Sequence, residues 1–494
     1  MLTRLSVLAA LLSAAPWAAA AAPPLALKPC RISGLATEVR CGQLQRPLDP
    51  SQPQGKTIDL HVVVVPALAR NKLPDPVVFL AGGPGQSAIQ LAPMLSSRLA
   101  RLQQRRDLVF VDQRGTGKSA PLECPVERHL PVAEGLDLEA NYRRTDACRA
   151  ELEKLPHGDL RQYSTVIAMQ DLDAVREALG VAQWNLIGGS YGTRAGLEYL
   201  RAYPTKVRRA VLDGLAPPDM ALPLSFSPDN QAALDAVLAA CAAQPGCEQA
   251  FPKLAEQWQR LLASLPREVE LQHPLTGKRE KAVLQREHLV RAVRGPLYVP
   301  AYASALPAAI HAASAGNFNA LSGLLSSISG RGMNLAMGMH LSVICAEDLP
   351  RLAASQEAQG RDYGRVDAQL YTRMCQNWPR AQVPEAFYSM PPAQSPVLLL
   401  SGGADPVTPP RHGERVAKAL GAKALHQVVP AAGHGVMGLP CMREVLNRFI
   451  DAKTEAEALA VKTDCAAQMP RPLAFIPPDP SLPQAAKKNE EVKP

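Results

Sequence analysis

The chain carries a serine with glycines two residues to either side, Gly188-Gly189-Ser190-Tyr191-Gly192. The apolar run Trp184-Asn185-Leu186-Ile187 leads into it and reads as a short strand. A sharp turn and a helix start follow. Glycine is needed at 188 and 192 because a side chain there would collide across so tight a turn. The serine hydroxyl is then left above a sheet edge, at a helix N-terminus where backbone N–H groups face outward. Such a hydroxyl can attack a carbonyl carbon once a base takes its proton. The same pattern also fits a plain glycine-rich connection, so the chemistry depends on partners elsewhere in the chain.

Two later loops offer those partners. The apolar stretch 397–401 runs into Gly402-Gly403-Ala404-Asp405, and the stretch 424–429 runs into Pro430-Ala431-Ala432-Gly433-His434-Gly435. An imidazole can accept the serine proton, and a carboxylate can fix the imidazole tautomer. Ser190, Asp405 and His434 each follow an expected strand, which places all three at one sheet edge. Asp213 also follows a strand and is the rival acid. His412, on an expected helix, and His426, at a strand start, are the competing bases. A developing oxyanion needs two N–H donors. The backbone of Tyr191 can supply one. Gly83, from the loop Gly82-Gly83-Pro84-Gly85, can supply the other, because Pro84 has no N–H to give.

The elements that must hold these residues alternate. Strands are expected at 57–66, 75–80, 107–111, 184–187 and 207–212, with helices at 165–179 and 194–203. This rhythm predicts an α/β fold: a mostly parallel sheet flanked by helices on both faces. From 217 to 394 the reading is mainly helical, with segments at 231–243, 253–265, 288–293, 302–315 and 320–327 and few strand signals. It predicts an inserted helical cap over the ligand-binding edge of the sheet. The α/β pattern returns over 395–470, with a helix at 410–420 and a closing helix at 442–450. The expected organisation is a signal peptide at 1–22, core at 23–216, cap at 217–394, core again at 395–470, and a mobile tail at 471–494. Gly117-Lys118-Ser119 resembles the end of a phosphate loop, but the glycine required five residues before Gly117 is Asp112, so that reading fails.

Composition narrows the class. The 494 residues hold 53 basic and 45 acidic side chains, a net charge of +8. There is no basic run with interleaved aromatics, which argues against nucleic acid as a partner. The N-terminus has a positive start at Arg4, an apolar run from Leu5 to Trp17, and small residues from Ala18 to Ala22. It predicts a cleaved export signal and a periplasmic or extracellular location. No later stretch reads as a membrane span. The ten cysteines fit export, and they fall along the chain as neighbours. The expected pairs are Cys30–Cys41, Cys124–Cys148, Cys241–Cys247, Cys345–Cys375 and Cys441–Cys465. No C-x-x-C occurs, and neither a metal nor a cofactor is expected. Oligomeric state is left open.

Three motifs carry a family likeness: Gly82-Gly83-Pro84-Gly85, Asp112-Gln113-Arg114-Gly115-Thr116-Gly117-Lys118-Ser119, and Gly188-Gly189-Ser190-Tyr191-Gly192-Thr193-Arg194. Together they resemble the proline iminopeptidase and tripeptidyl aminopeptidase group of α/β-hydrolases. Residues from about 393 to 465 resemble that family's C-terminal module, and the chain order Ser, Asp, His is the α/β-hydrolase order. The helical cap is a weaker match. The resemblance implies an α/β-hydrolase fold and a secreted serine exopeptidase acting through an acyl-enzyme on peptides with a free N-terminus. It also implies acidic cap residues that hold the substrate ammonium; Glu347 and Asp348 are the candidates here. The family's loop has histidine where this chain has Ala81, which leaves the packing of that loop to be explained. The alternatives are a carboxylesterase using the same three residues, and a non-catalytic binding protein on a hydrolase scaffold.

Overall fold

Runs of β-branched and apolar residues build the centre of the computed structural model. It describes residues 24–478 apart from 126, 128, 330–333 and 354. The strands are β1 (Lys28–Cys30), β2 (Val39–Pro47), β3 (Thr57–Val65), β4 (Val77–Leu80), β5 (Leu108–Val111), β6 (Trp184–Gly189), β7 (Val207–Asp213), β8 (Arg267–Gln272), β9 (Arg279–Leu284), β10 (Val397–Gly402) and β11 (Ala424–Val429). Nine of them form one sheet in the order β1-β2-β3-β5-β4-β6-β7-β10-β11. From β5 to β11 all neighbours run parallel, and β1 to β3 add an antiparallel edge.

Alternation along the strands separates two apolar layers. Val78, Leu186, Leu212 and Leu399 pack on one face with Leu172, Val175, Tyr199 and Val416, from the helices Thr165–Ala178, Tyr191–Ala202 and Pro410–Leu420. Phe79, Ile187, Val211 and Leu398 pack on the other with Ala92, Leu95, Val445 and Phe449, from Ala88–Arg98 and Pro440–Asp451. Helices on both faces explain why β4 and β5 are buried along their whole length.

Between β7 and β10 the chain leaves the sheet. The helices Leu222–Ala243, Leu254–Ala263, Arg286–Leu297, Leu306–Ser314 and Asn319–Ser329 lie there, and Leu234, Trp258, Val290 and Ile310 form part of a separate apolar cluster. The first of these helices starts at Leu222, nine residues before the expected 231. Pro223 sits in its first turn, where no N–H is needed. The insertion also holds the antiparallel hairpin β8–β9, which the mainly helical reading missed. Val269, Leu271, Ala282 and Leu284 are its buried positions, and Glu268, Glu270, Lys281 and Val283 face outward.

The five expected cysteine pairs are the five disulfides of the structure. Residues 471–478, the described part of the expected mobile tail, lie against the insertion. Arg471 donates to the Ala236 carbonyl (3.1 Å), Ala474 N–H to Gln244 Oε1 (3.1 Å), and Phe475 N–H to the Ser304 carbonyl (2.8 Å). Backbone groups of this stretch find partners on the insertion, which composition alone does not reveal. Residues 479–494 and the expected signal peptide lie outside the described residues. Among the described residues, no helix is long and apolar enough to cross a membrane.

Candidate active site

β6 delivers Ser190 onto a turn whose backbone is held at φ 55° and ψ −124°. A side chain at Gly188 would stand 2.4 Å from the Gly192 carbonyl oxygen, and one at Gly192 would stand 2.1 Å from that of Leu80. Both glycines are therefore steric requirements of the turn. The positive φ at a non-glycine residue is strain that the surroundings must hold. Ser190 N–H donates to the Asp213 carbonyl at 2.8 Å, which ties the turn to the end of β7. The next residue along, Gly214, lies against His434: a Cβ there would stand 3.1 Å from the imidazole Cε1. The serine turn and the imidazole thus converge on one corner.

Asp405 follows β10 and is buried. Its Oδ1 accepts from the N–H groups of Val407 and Thr408, both at 2.9 Å, and its Oδ2 accepts from the Thr408 hydroxyl at 2.7 Å. Oδ2 also faces His434 Nδ1 at 2.8 Å, and the Thr408 oxygen lies 3.0 Å from the same nitrogen. An ionised carboxylate only accepts, so Nδ1 carries the proton and Nε2 is left as the basic nitrogen. Burial opposes charge on His434, but Asp405 outweighs it and raises the imidazole pKa. Burial likewise pushes Asp405 up, but His434 and the N–H donors outweigh that and hold it below the usual carboxylate range.

The rival residues are engaged elsewhere. The Asp213 carboxylate accepts from the N–H groups of Val436 and Met437 at 2.7–2.9 Å, supporting the histidine loop from behind, and burial pushes its pKa up to about 6. His412 Nε2 meets Asp229 at 2.9 Å, and His426 Nε2 meets the Ser401 hydroxyl at 2.9 Å. The insertion adds a contact that short-range reading missed. His434 N–H donates to the Tyr298 carbonyl at 2.9 Å, and the Tyr298 ring stands edge-on to the imidazole, centroids 5.1 Å apart.

The loop after β4 passes beside the serine. A Cβ on Gly82 would lie 3.3 Å from Ser190 Cβ. Gly83 is exposed, has φ +108°, and joins Pro84 through a cis peptide bond. Tyr191 opens the helix Tyr191–Ala202, so its N–H has no acceptor within that helix. The structure thus brings Ser190, Asp405, His434, Gly83 and Tyr191 to one edge of the sheet.

Glu347 and Asp348 are a correction. Both are buried, at 0% and 1% exposure, so neither carboxylate is open to a substrate ammonium. Arg194, four residues past Ser190 on the serine helix, donates to both oxygens of Asp348 (2.9 and 3.0 Å) and stands 3.6 Å from Glu347. The N–H and hydroxyl of Thr165 donate to Glu347 at 2.7 and 3.0 Å. The expectation overlooked the cation: a guanidinium enclosed in the core requires counter-charges. A single π-helical turn, Ile344–Asp348, carries both adjacent carboxylates. Burial pushes Glu347 up to about 7 against the pull of Arg194. Folded protein therefore holds this proton to higher pH than the unfolded chain, whose Glu titrates near 4.5, so stability falls as pH rises between the two values. The Glu347→Gln variant should show a flatter Tm against pH across that window. An unchanged slope would contradict the assignment.

The family model described as the alpha/beta hydrolase fold matches residues 75–438, well over half of the chain. The chain belongs to the alpha/beta hydrolase fold family. As a member of that family it is similar to serine protease Hip1 of Mycobacterium tuberculosis, 30% identical over 243 residues, covering 45% of this chain and 46% of the relative. It is similar also to tripeptidyl aminopeptidase of Streptomyces coelicolor, 31% identical over 201 residues, covering 37% of this chain and 36% of the relative. Carboxylesterase B of M. tuberculosis is 27% identical over 225 residues, 42% of each chain. The matches span less than half the length of these curated relatives.

Proposed function

We propose that the chain is an exported serine hydrolase that removes residues or short peptides from free N-termini. The observation that carries this reading is the Asp405–His434 pair, with Nδ1 protonated, meeting the Ser190 turn at the Gly214 corner. His434 Nε2 takes the Ser190 proton as Oγ bonds to the carbonyl carbon. The oxyanion is received by the N–H groups of Gly83 and Tyr191. Collapse breaks the C–N bond, and the imidazolium returns its proton to the leaving amine. Water, deprotonated by the same nitrogen, then releases the acyl group from Ser190. Asp405 stabilises the imidazolium in both halves.

The peptide reading is supported by the names of Hip1 and the tripeptidyl aminopeptidase. The carboxylesterase relative favours a second reading, the same three residues acting on an ester. Five disulfides support export, since such bonds persist in oxidising compartments. The readings separate on a tripeptide arylamide, the same compound N-acetylated, and a short acyl ester. This reading requires a partner for the substrate ammonium other than Glu347 and Asp348, and a charged hydrogen bond of that kind is worth about 1.5–3 kcal/mol. The free arylamide is therefore expected to exceed the blocked one by about 10- to 100-fold in kcat/KM. Equal arylamide rates with a faster ester would move the assignment to esterase. No turnover of any of the three would move it to a binding protein.

A further inference from the structure

The loop that carries Gly83 is built from residues with little conformational preference of their own. Gly82, Gly83 and Gly85 surround a single proline, and both Gly83 and Gly85 have φ +108°. Such a segment holds one geometry only if its polar groups are tied down. Within the loop, Gln86 gives limited help: its Oε1 accepts from Gly82 N–H at 3.1 Å, and its N–H donates to the Gly82 carbonyl at 3.3 Å. The carbonyls beyond Gly83 are held from outside. The Gly85 carbonyl accepts from Ala336 N–H at 2.9 Å, and the Pro84 carbonyl faces His340 Nδ1 at 3.0 Å. Ala336 and His340 are one helical turn apart, at the start of Met337–Val343, a segment of the insertion whose Met339, Leu341 and Val343 pack on the core.

His340 has little freedom in how it can serve. The Pro84 carbonyl can only accept, so His340 Nδ1 carries the proton and donates it. Nε2 is then a lone pair, and it meets the Tyr371 hydroxyl at 2.8 Å, which donates to it. Tyr371 comes from the helix Val366–Met374, whose C-cap Cys375 is bonded to Cys345. The imidazole is buried, and burial holds its pKa below the ordinary value, so it is neutral in this setting. Pro84 is buried as well, and its carbonyl is its one backbone hydrogen-bonding group. Without His340, a buried acceptor beside the cis Gly83–Pro84 bond would lose its donor.

We propose that His340 is a positioning residue for oxyanion stabilisation. Its Nδ1–H fixes the Pro84 carbonyl and so anchors the loop that presents the Gly83 N–H. Tyr371, donating to Nε2, holds the ring in the orientation that makes this bond. Docking of Met337–Val343 onto the core and formation of a competent oxyanion site are thereby one event. The inference rests on the serine hydrolase reading above, and a histidine 256 residues from its partner is not part of the Ser190, Asp405 and His434 set.

The test uses the full chain, a short acyl ester and a fluorophosphonate probe on wild type and three variants: His340→Leu, His340→Asn and Tyr371→Phe. Asparagine places an N–H donor near the Nδ1 position and leucine places none. Misdirecting one oxyanion donor costs about 10²-fold or more in kcat. His340→Leu is therefore expected to lose about 10²-fold in kcat with KM within about 3-fold, because the donor acts on the transition state. His340→Asn should recover most of that loss, remaining within about 10-fold of wild type, and Tyr371→Phe should fall between them. Should His340→Leu fail to fold, the asparagine and phenylalanine variants still decide the matter. Wild-type kcat in Tyr371→Phe together with a 10²-fold loss in His340→Asn overturns the relay. A loss in KM alone, or a folded His340→Leu with unchanged kcat, overturns the positioning role. Wild-type protein that never takes the probe at Ser190 overturns the hydrolase reading itself, and this inference with it.

Discussion

Replacing Ser190 with alanine is expected to lower kcat by about 10⁶-fold, the loss typical of removing a serine nucleophile whose base and acid remain. Stability should change by no more than about 0.5 kcal/mol, the usual size for a site with no packing or buried polar partner to lose. The reason lies in the turn. Ser190 is held at φ 55° by its own N–H bond to the Asp213 carbonyl and by the glycines on either side. Alanine bears the same Cβ and meets the same backbone demand, so strain is unchanged and only the hydroxyl is lost. Turnover of an acyl ester, substrate binding and Tm measured together separate the effects. A variant that keeps a tenth of wild-type turnover would place the nucleophile elsewhere.

The Asp405→Asn variant should lose about 10⁴-fold in kcat, through the tautomer rather than through the fold. In the wild-type chain Oδ2 accepts from Nδ1 of His434 at 2.8 Å, so the proton sits on the nitrogen away from the serine. An amide NH₂ at that position donates, which requires Nδ1 to accept and moves the proton to Nε2. The base is then blocked. The acid limb of the pH profile should move as well. Activity needs neutral His434, and Asp405 raises the imidazole pKa above 6.5. The wild-type limb therefore falls off at a pH above 6.5 as pH decreases. Without the carboxylate, burial is opposed only by the weaker pull of Asp213 and the limb shifts downward. Measuring kcat/KM from about pH 5 to about pH 9 reads both effects. A small loss with an unmoved limb would mean that Asp405 does not govern the imidazole.

Local pattern carried the site's centre. Each of β6, β10 and β11 is a short strand ending in a glycine-bearing loop, and the functional side chain stands in that loop. The partners that fix those side chains come from far along the chain. Tyr298 reaches His434, Arg194 pairs with Asp348 over 154 residues, and His340 reaches Pro84 over 256. No periodicity encodes such contacts. The buried Arg194 did leave one signal, a cation in the first turn of a helix between Thr193 and Ala195, where small and apolar residues surround it in the chain. In sequence an acidic pair such as Glu347 and Asp348 looks the same whether its counter-ion is a ligand or a core arginine. The hairpin β8–β9 has only two buried apolar positions in each strand, too few alternations to stand out as a strand signal.

The central claim is that Ser190 is a nucleophile activated by His434 and Asp405. Incubating the chain with a fluorophosphonate and mapping the adduct by peptide mass tests it most directly. The expected result is one adduct on the peptide containing Ser190, absent from Ser190→Ala and slowed by at least about 10³-fold in His434→Ala. An adduct on another residue, no adduct at all, or equal labelling in His434→Ala would contradict it.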